Sequence, residues 1–338
     1  MTTMILGIDT FSLRTQGWNA FQMLDYAASQ GLKNVHFSER GNLDSLDPAY
    51  LRTVKQRADE LGLRIEVGMR SFNRLAGTFD ASLGTGEEQL GAMIQAAVAL
   101  GSPVVRCFVG MQSDRLGEVP FVDLFGESVR VLKAVAPEAE RAGVVIAVEN
   151  HGGVDFLARE LRDLIEAVGS PAVRVCLDTG NPLYAAEDAV LATEILAPYV
   201  VTAHLRDTRV WATENGCAVQ WAPAGQGDVD LKRIVAILRE EAPDIALDLE
   251  IISGVGEKEI DYLNPDSELW RAYPDMRASD FARFLALTTG GSTGPLEQLT
   301  PGPGAWSPPA DQLEAYRAQQ RRHLEESIAY CREHLGLE

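Results

Sequence analysis

Eight short β-type runs, separated by amphipathic helical stretches, restrict the folds open to this sequence. They read MILGID (4–9), NVHFSE (34–39), LRIEVGM (63–69), PVVRCFV (103–109), VVIAVEN (144–150), VRVCLDT (173–179), VVTAHLRD (200–207) and ALDLEII (246–252). The stretches between them, such as PAYLRTVKQRADELG and FLARELRDLIEAVG, carry apolar residues at helical spacing. Several end in glycine, which suits a left-handed C-terminal cap. Eight strands alternating with helices are what a closed (β/α)8 barrel requires. The rival, an open doubly wound sheet, usually shows a GxGxxG turn after its first strand, whereas DTFSLRTQG stands here. The sequence therefore predicts an α/β chain with a single (β/α)8 TIM barrel over residues 1–252.

The eighth strand is not followed at once by its helix. Residues 253–310 intervene, rich in glycine, proline and aromatics, and a long polar helix then occupies 311–338. On a barrel this insertion leaves the C-terminal end of the eighth strand and lies at the mouth, beside the long segment 110–126 that follows the fourth strand. Both fit either a lid or a subunit contact. His323, His334 and the Arg321–Arg322 pair fall on the final polar helix and read as solvated surface.

Charge narrows the partners. Against 30 basic residues stand 49 acidic ones, a formal net charge of −19. Such a surface repels phosphate backbones and anionic lipids, so neither nucleic acid nor membrane is expected as a partner. No apolar run approaches the roughly 20 residues that span a bilayer. The start MTTMILGIDT lacks a basic, signal-like segment, and a cytoplasmic location is expected. Cys107, Cys176, Cys217 and Cys331 lie far apart without CxxC spacing, as reduced thiols do.

Strands five to eight each close on an ionisable residue: Glu149 in AVEN, Asp178 in CLDTGN, His204 in TAHLRD and Glu250 in DLEII. One such residue reads equally well as a cap where strand meets loop. On a barrel, however, all four strand ends meet on one rim. Three carboxylates crowded there without a cation would cost several kcal/mol each. Three oxygen donors and an imidazole suit Mn²⁺ best, with Mg²⁺ or Co²⁺ as alternatives, rather than the Cys/His tetrahedron of structural zinc. Counting these four residues alone, a divalent ion would leave about one negative charge, which suits a neutral hydroxy-ketone.

At these residues the chain resembles the sugar phosphate isomerase/epimerase superfamily, the xylose-isomerase-like TIM barrels. The similarity extends to DTGN (178–181), HLRD (204–207) and GQGDVD (225–230), and covers roughly residues 4–252. It implies one divalent metal ion held by Glu149, Asp178, His204 and Glu250, and a small-molecule sugar substrate. The implied activity is a metal-dependent enzyme of carbohydrate metabolism acting on a keto sugar or a sugar-derived keto acid. The superfamily includes epimerases, isomerases, dehydratases, keto-acid decarboxylases, C-glycoside deglycosidases and an endonuclease branch. That last branch needs many more histidines than the five present, and the net charge opposes DNA.

Departures from the family pattern bear on the reaction. Ketose 3-epimerases carry a histidine three residues after the aspartate ligand and an arginine six residues after the metal histidine. Here those positions are Asn181 and Val210. With the extra His151, two residues beyond Glu149, and the aromatic insertion, these favour a lyase over an isomerase or epimerase. The metal would hold an enediolate, formed by proton removal ahead of β-elimination from a 3-oxo-glycoside or by keto-acid decarboxylation. His151, Glu149 or Glu250 would move the proton, His151 through an imidazole whose ordinary pKa suits neutral pH. Arg106, Arg206 and His36 are the candidate substrate-binding residues, with a packed core histidine and a salt-bridged arginine as the plainer readings. Trp211 and Trp221, flanking the loop after strand seven, offer a sugar-stacking wall or ordinary packing. A non-catalytic sugar-binding barrel is the alternative from a different class. The deglycosidases pair such a barrel with a small β subunit, so an oligomer, homomeric or mixed, is also expected.

Overall fold

The computed structural model describes residues 4–301 and 306–338. Residues 1–3 and 302–305, the latter within the Gly/Pro run of the insertion, lie outside the described residues. Eight parallel strands close into a barrel: β1 (Ile5–Asp9), β2 (Asn34–Phe37), β3 (Arg64–Ser71), β4 (Val104–Phe108), β5 (Val145–Glu149), β6 (Val173–Asp178), β7 (Val200–Leu205) and β10 (Ala246–Leu249). β1 pairs with both β2 and β10, so the sheet has no edge. Where the sequence suggests a loop after the seventh strand, the chain forms an antiparallel hairpin, β8 (Asp207–Thr213) and β9 (Gly216–Ala222). A short strand from the insertion, β11 (Lys258–Ile260), pairs with β9.

The barrel is surrounded by α1 (Ala20–Ser29), α2 (Pro48–Leu61), α3 (Gly86–Leu100), α4 (Phe121–Ala142), α5 (Ala158–Val168), α6 (Ala189–Leu196) and α7 (Leu231–Glu241). The insertion contributes α8 (Glu268–Ala272) and α9 (Ala278–Gly290), and the chain closes with α10 (Leu313–Leu335). These helices bury their apolar stripes on the strands. In α5, Leu161, Leu164, Ile165 and Val168 face inward at helical spacing, and Leu161 and Leu164 are fully buried. Burying a leucine of this kind is worth about 1.5–3 kcal/mol. Among the described residues no helix is long and apolar enough to cross a membrane.

The inside of the barrel departs from the usual layers of branched aliphatics. Asn34 donates to both carboxylate oxygens of Asp248 (2.8 and 3.0 Å), and Thr202 Oγ1 donates to Glu66 Oε2 (2.6 Å). All four side chains are buried. Burial, aided by Asp248, pushes the Glu66 carboxyl up to about 8, so it keeps its proton at neutral pH. Gly7 makes room for this layer, because a Cβ there would fall 1.9 Å from Asp248 Oδ1.

The match at GQGDVD has a structural cause. The Asp207 carboxylate accepts from the backbone N–H groups of Thr208, Gly225, Gly227 and Val229, at 2.9–3.1 Å. This ties the end of β7 to the entry of α7, whose N-cap is Asp230. A Cβ at Gly227 would lie 2.2 Å from Asp207 Oδ1, so the close approach requires glycine.

One surface expectation is corrected. His323 is buried, not solvated: its Nδ1 lies 2.9 Å from Ser253 Oγ, just beyond β10. Gln319, one turn earlier on α10, also reaches Ser253 Oγ, at 3.2 Å. The polar face of α10 is therefore a hydrogen-bonded seam against the barrel, which charge patterning alone cannot distinguish from a wet face. His334 remains about half exposed.

Candidate metal centre and active-site cavity

Parallel strands in register bring the four strand-end residues together. Asp178 pairs with His204 across β6 and β7, and His204 pairs with Asp248, two residues before Glu250, across β7 and β10. One donor atom from each of Glu149, Asp178, His204 and Glu250 lies within 4.8 Å of the others, and all four residues are buried. Two ligands on one ion with bonds of about 2.0–2.4 Å can be at most about 4–4.8 Å apart, so the cluster can close on a single cation. The donor set also fits the ion chemically. His204 Nδ1 is buried without a hydrogen-bond partner, yet lies 2.9 Å from Glu250 Oε2 and 3.5 Å from Glu149 Oε2. A cation shared by the three atoms satisfies that arrangement.

Burial pushes the Glu149 carboxyl well above the usual range, opposed by Arg106, and takes Asp178 up to about 6, opposed by Arg206. Burial would raise Glu250 too, but Arg206, His204 and Arg106 outweigh it and hold that carboxyl well below the usual range. The His204 imidazole is taken down to about 4 by burial, against the pull of Glu250, so it is neutral and available as a ligand at pH 7.

Two buried guanidiniums accompany the cluster. Arg106 pairs through Nε and Nη2 with Glu149 Oε2. Arg206 Nε lies 2.7 Å from Asp178 Oδ2, and its Nη2 lies 2.6 Å from Glu250 Oε2. This corrects the charge balance read from the ligands alone. Three carboxylates with two guanidiniums leave one net negative charge, so a divalent ion would leave about one net positive charge. Strand-end counting misses the arginines because Arg106 is a mid-strand residue of β4 and Arg206 follows β7 on the rim.

Above the cluster opens a cavity of about 920 Å³. Arg106, Asn181, Arg206 and Glu250 line its floor, and Phe11, Tyr184, Trp221 and Trp306 form an aromatic wall. Trp221 packs against Tyr184 with ring centroids 4.4 Å apart and planes tilted by 30°, and Trp306 lies 6.1 Å from Trp221. Trp211 is not part of this lining. The insertion supplies Val255, Glu257, Lys258 and Trp306, and the segment after β4 supplies Met111, so both mouth segments reach the cavity.

His151 also lines the cavity. Its ring stacks on Phe108 (3.6 Å, 7° between planes), and Nδ1 is 3.0 Å from the Gly110 carbonyl. That acceptor assigns the proton to Nδ1 and leaves the Nε2 lone pair available. Burial, reinforced by Arg106, lowers its pKa well below the usual value, so the imidazole is neutral at pH 7. His36 takes a different place from the one expected of a substrate contact. It is fully buried beneath the cluster, with Nδ1 3.5 Å from Glu66 Oε2, 3.7 Å from Asp248 Oδ2 and 3.5 Å from His204 Nε2, and it does not line the cavity. Residue 36 lies a layer below the strand ends, where Glu66 and Asp248 also sit. Asp9 was not singled out from the sequence, although it closes an apolar run in the same way as the four strand-end residues. Its Oδ2 is 3.4 Å from His204 Nε2.

A closed eight-stranded barrel with an acid-and-histidine cluster on its C-terminal rim defines a class. The family described as xylose isomerase-like TIM barrel matches residues 24–276, and the chain belongs to it. A 3-oxo-isoapionate decarboxylase from Pectobacterium atrosepticum is 28% identical over 185 residues, 55% of this chain and 59% of that protein. A 2-epi-5-epi-valiolone 7-phosphate 2-epimerase from Actinoplanes is 32% identical over 162 residues, 48% of this chain and 55% of that protein. The chain thus spans little more than half the length of these curated relatives. The structure of a D-psicose 3-epimerase in the presence of D-fructose superposes with a TM-score of 0.61 at 15% identity, covering 98% of this chain and all of that one, and supports the fold.

Proposed function

We propose that the chain is a divalent-metal-dependent enzyme of carbohydrate metabolism, a lyase acting on a keto sugar or sugar-derived keto acid. The observation that carries this reading is the buried Glu149, Asp178, His204 and Glu250 set, open on one side to a cavity. Glu149, Asp178, His204 and Glu250 would hold the ion, Mn²⁺ by preference for its mixed oxygen and nitrogen donors. When bound, the ion supplies Lewis-acid polarisation of a substrate carbonyl.

The remaining work falls to this chain's own side chains. Arg206 presents an unpaired Nη1 beside the cluster and orients substrate oxygens. Arg106 holds Glu149 in place and carries the balancing charge. Loss of CO₂ from a β-keto acid leaves the bonding electron pair as an enolate, and a proton must then reach carbon. In β-elimination a base removes the proton next to the carbonyl and the leaving group departs with its electrons. His151 lines the cavity with its ring fixed by Phe108 and Gly110, and is assigned to move that proton: its Nε2 lone pair takes it in β-elimination, and in decarboxylation solvent supplies it, relayed through Nε2. Similarity to the Pectobacterium decarboxylase supports decarboxylation among lyase outcomes. Isomerase or epimerase chemistry is the second reading, favoured by the placement of both Glu149 and Glu250 in one cluster and by similarity to the Actinoplanes epimerase.

The test is an NMR screen of keto sugars and sugar-derived keto acids in D₂O with Mn²⁺-loaded protein. Release of CO₂ or of an eliminated group is expected. Solvent deuterium appearing in an otherwise intact sugar would support the second reading. Metal bound without turnover or exchange across the panel would refute both.

A further inference from the structure

Among the described residues Lys258 makes no ion pair, in a cavity whose deep arginines, Arg106 and Arg206, are both paired. It lies on β11, the strand that the insertion adds to the β8–β9 hairpin, and its partly buried side chain lines this cavity and an adjoining one bordered by Glu259, Asp261, Asp266 and Glu268. Its Nζ meets Gln112 Oε1, a neutral acceptor from the segment after β4. Gln112 is itself fixed by the Tyr273 hydroxyl at 3.0 Å. Among the described residues no carboxylate lies within ion-pairing distance of Nζ, whereas Arg106 and Arg206 both hold carboxylates. A partly buried ammonium whose hydrogen-bond partner is an amide, with the Glu268 carboxylate acting on it only from beyond ion-pairing distance, gains from a ligand that brings an anion.

Two further donors of the lining are buried without partners, Arg206 Nη1 and Trp221 Nε1. Arg206 is 3% exposed and Trp221 9% exposed. The rim carboxylates Glu39 and Glu257 reach solvent, as does Arg70. The floor, once a divalent ion is counted, is also net positive. Two donors without acceptors and one ammonium without an ion-paired carboxylate, among the described residues, therefore lie around one cavity.

We infer that Lys258 is a specificity residue that binds an anionic group of the substrate, so that the site takes an acidic keto sugar rather than a neutral one. The inference rests on the keto-sugar reading above and deepens it. The anion is either a carboxylate or a phosphate, which present the same oxygen acceptors to an ammonium.

D-fructose, 2-keto-D-gluconate and D-fructose 6-phosphate share a six-carbon keto skeleton and differ in charge. Their binding is to be measured by calorimetry on the full chain, Mn²⁺-loaded and EDTA-treated, for wild type, Lys258→Met and Lys258→Arg. At least one of the two anions should bind wild type about 10- to 100-fold more tightly than fructose, the span of one charge-assisted hydrogen bond. Which anion it is separates carboxylate from phosphate. Lys258→Met should remove that preference while leaving fructose unchanged, and Lys258→Arg should retain most of it. Equal binding of all three ligands to wild type overturns the inference. So does an equal loss of all three in Lys258→Met, which would mark a structural role. An anion preference that depends on Lys258 but persists without metal, in a protein that turns nothing over, keeps the inference and discards the metal-enzyme reading.

Discussion

Replacing Arg106 by methionine should destabilise the metal-free protein and tighten its grip on metal. Arg106 is 2% exposed, and two of its nitrogens bind Glu149 Oε2 while the third lies 3.4 Å from the carbonyls of Ser38 and Met69. Methionine fills much of the space and leaves Glu149 buried without its partner. Removing one side of a buried ion pair costs about 3–5 kcal/mol. Unfolding entropy of about 2.1 cal/mol/K per residue over 338 residues gives about 0.7 kcal/mol/K, so the metal-free Tm should fall by about 4–7 °C. With a divalent ion bound, Glu149 regains a counter-charge, and the loss reduces to contacts worth about 1–2 kcal/mol. The difference of about 2–3 kcal/mol must appear as tighter metal binding, about 30- to 150-fold, because the coupling is reciprocal. Thermal melts in EDTA and in Mn²⁺, with calorimetric Mn²⁺ titrations at pH 7, measure both quantities. The metal-free deficit should also grow as pH rises above the usual carboxylate range, since an unpaired buried carboxyl is tolerated only while it keeps its proton. A metal-free Tm within about 1 °C of wild type, or weaker metal binding in the variant, would refute the reasoning.

Three other outcomes are expected. His204→Ala and Asp178→Asn should each weaken Mn²⁺ binding by at least about 100-fold in calorimetric titrations, and wild-type affinity in either would remove these residues from the ligand set. His151→Gln should lower kcat by about 10²–10⁴-fold while Mn²⁺ affinity stays near wild type, and an unchanged kcat would take the proton-moving role away from His151. Glu187, whose carboxylate accepts from Ala158 N at the start of α5, is pushed up to about 8 by burial. The folded state therefore holds a proton that the unfolded chain has lost above about 4.5, and this group's stabilisation falls as pH rises from about 4.5 to 8. Glu187→Gln should flatten that part of the Tm–pH profile, and an identical slope in the variant would count against the buried, protonated carboxyl.

What the sequence determined by itself is the class of fold and the identity of the cluster. Strand and helix signals are local: branched runs and helical spacing report which surface each segment must bury, and eight alternations leave few closed solutions. Glu149, Asp178, His204 and Glu250 were legible because an ionisable residue ending an apolar run is conspicuous, and the topology gathers strand ends on one rim. Asp9 carried the same signal at the first strand. Tertiary structure alone decided the rest. Arg106 and Arg206 offset most of the site's negative charge because they reach the cluster from β4 and from beyond β7, contacts between residues 28–44 positions apart that no local pattern records. His36 and His151 look alike in sequence, but strand depth places one under the cluster and the other on the cavity wall. His323 reverses its apparent character for the same reason. A charged or polar residue on a polar stretch reads as wet until another element covers it, and only the packing of α10 and of the insertion against the barrel supplies that cover.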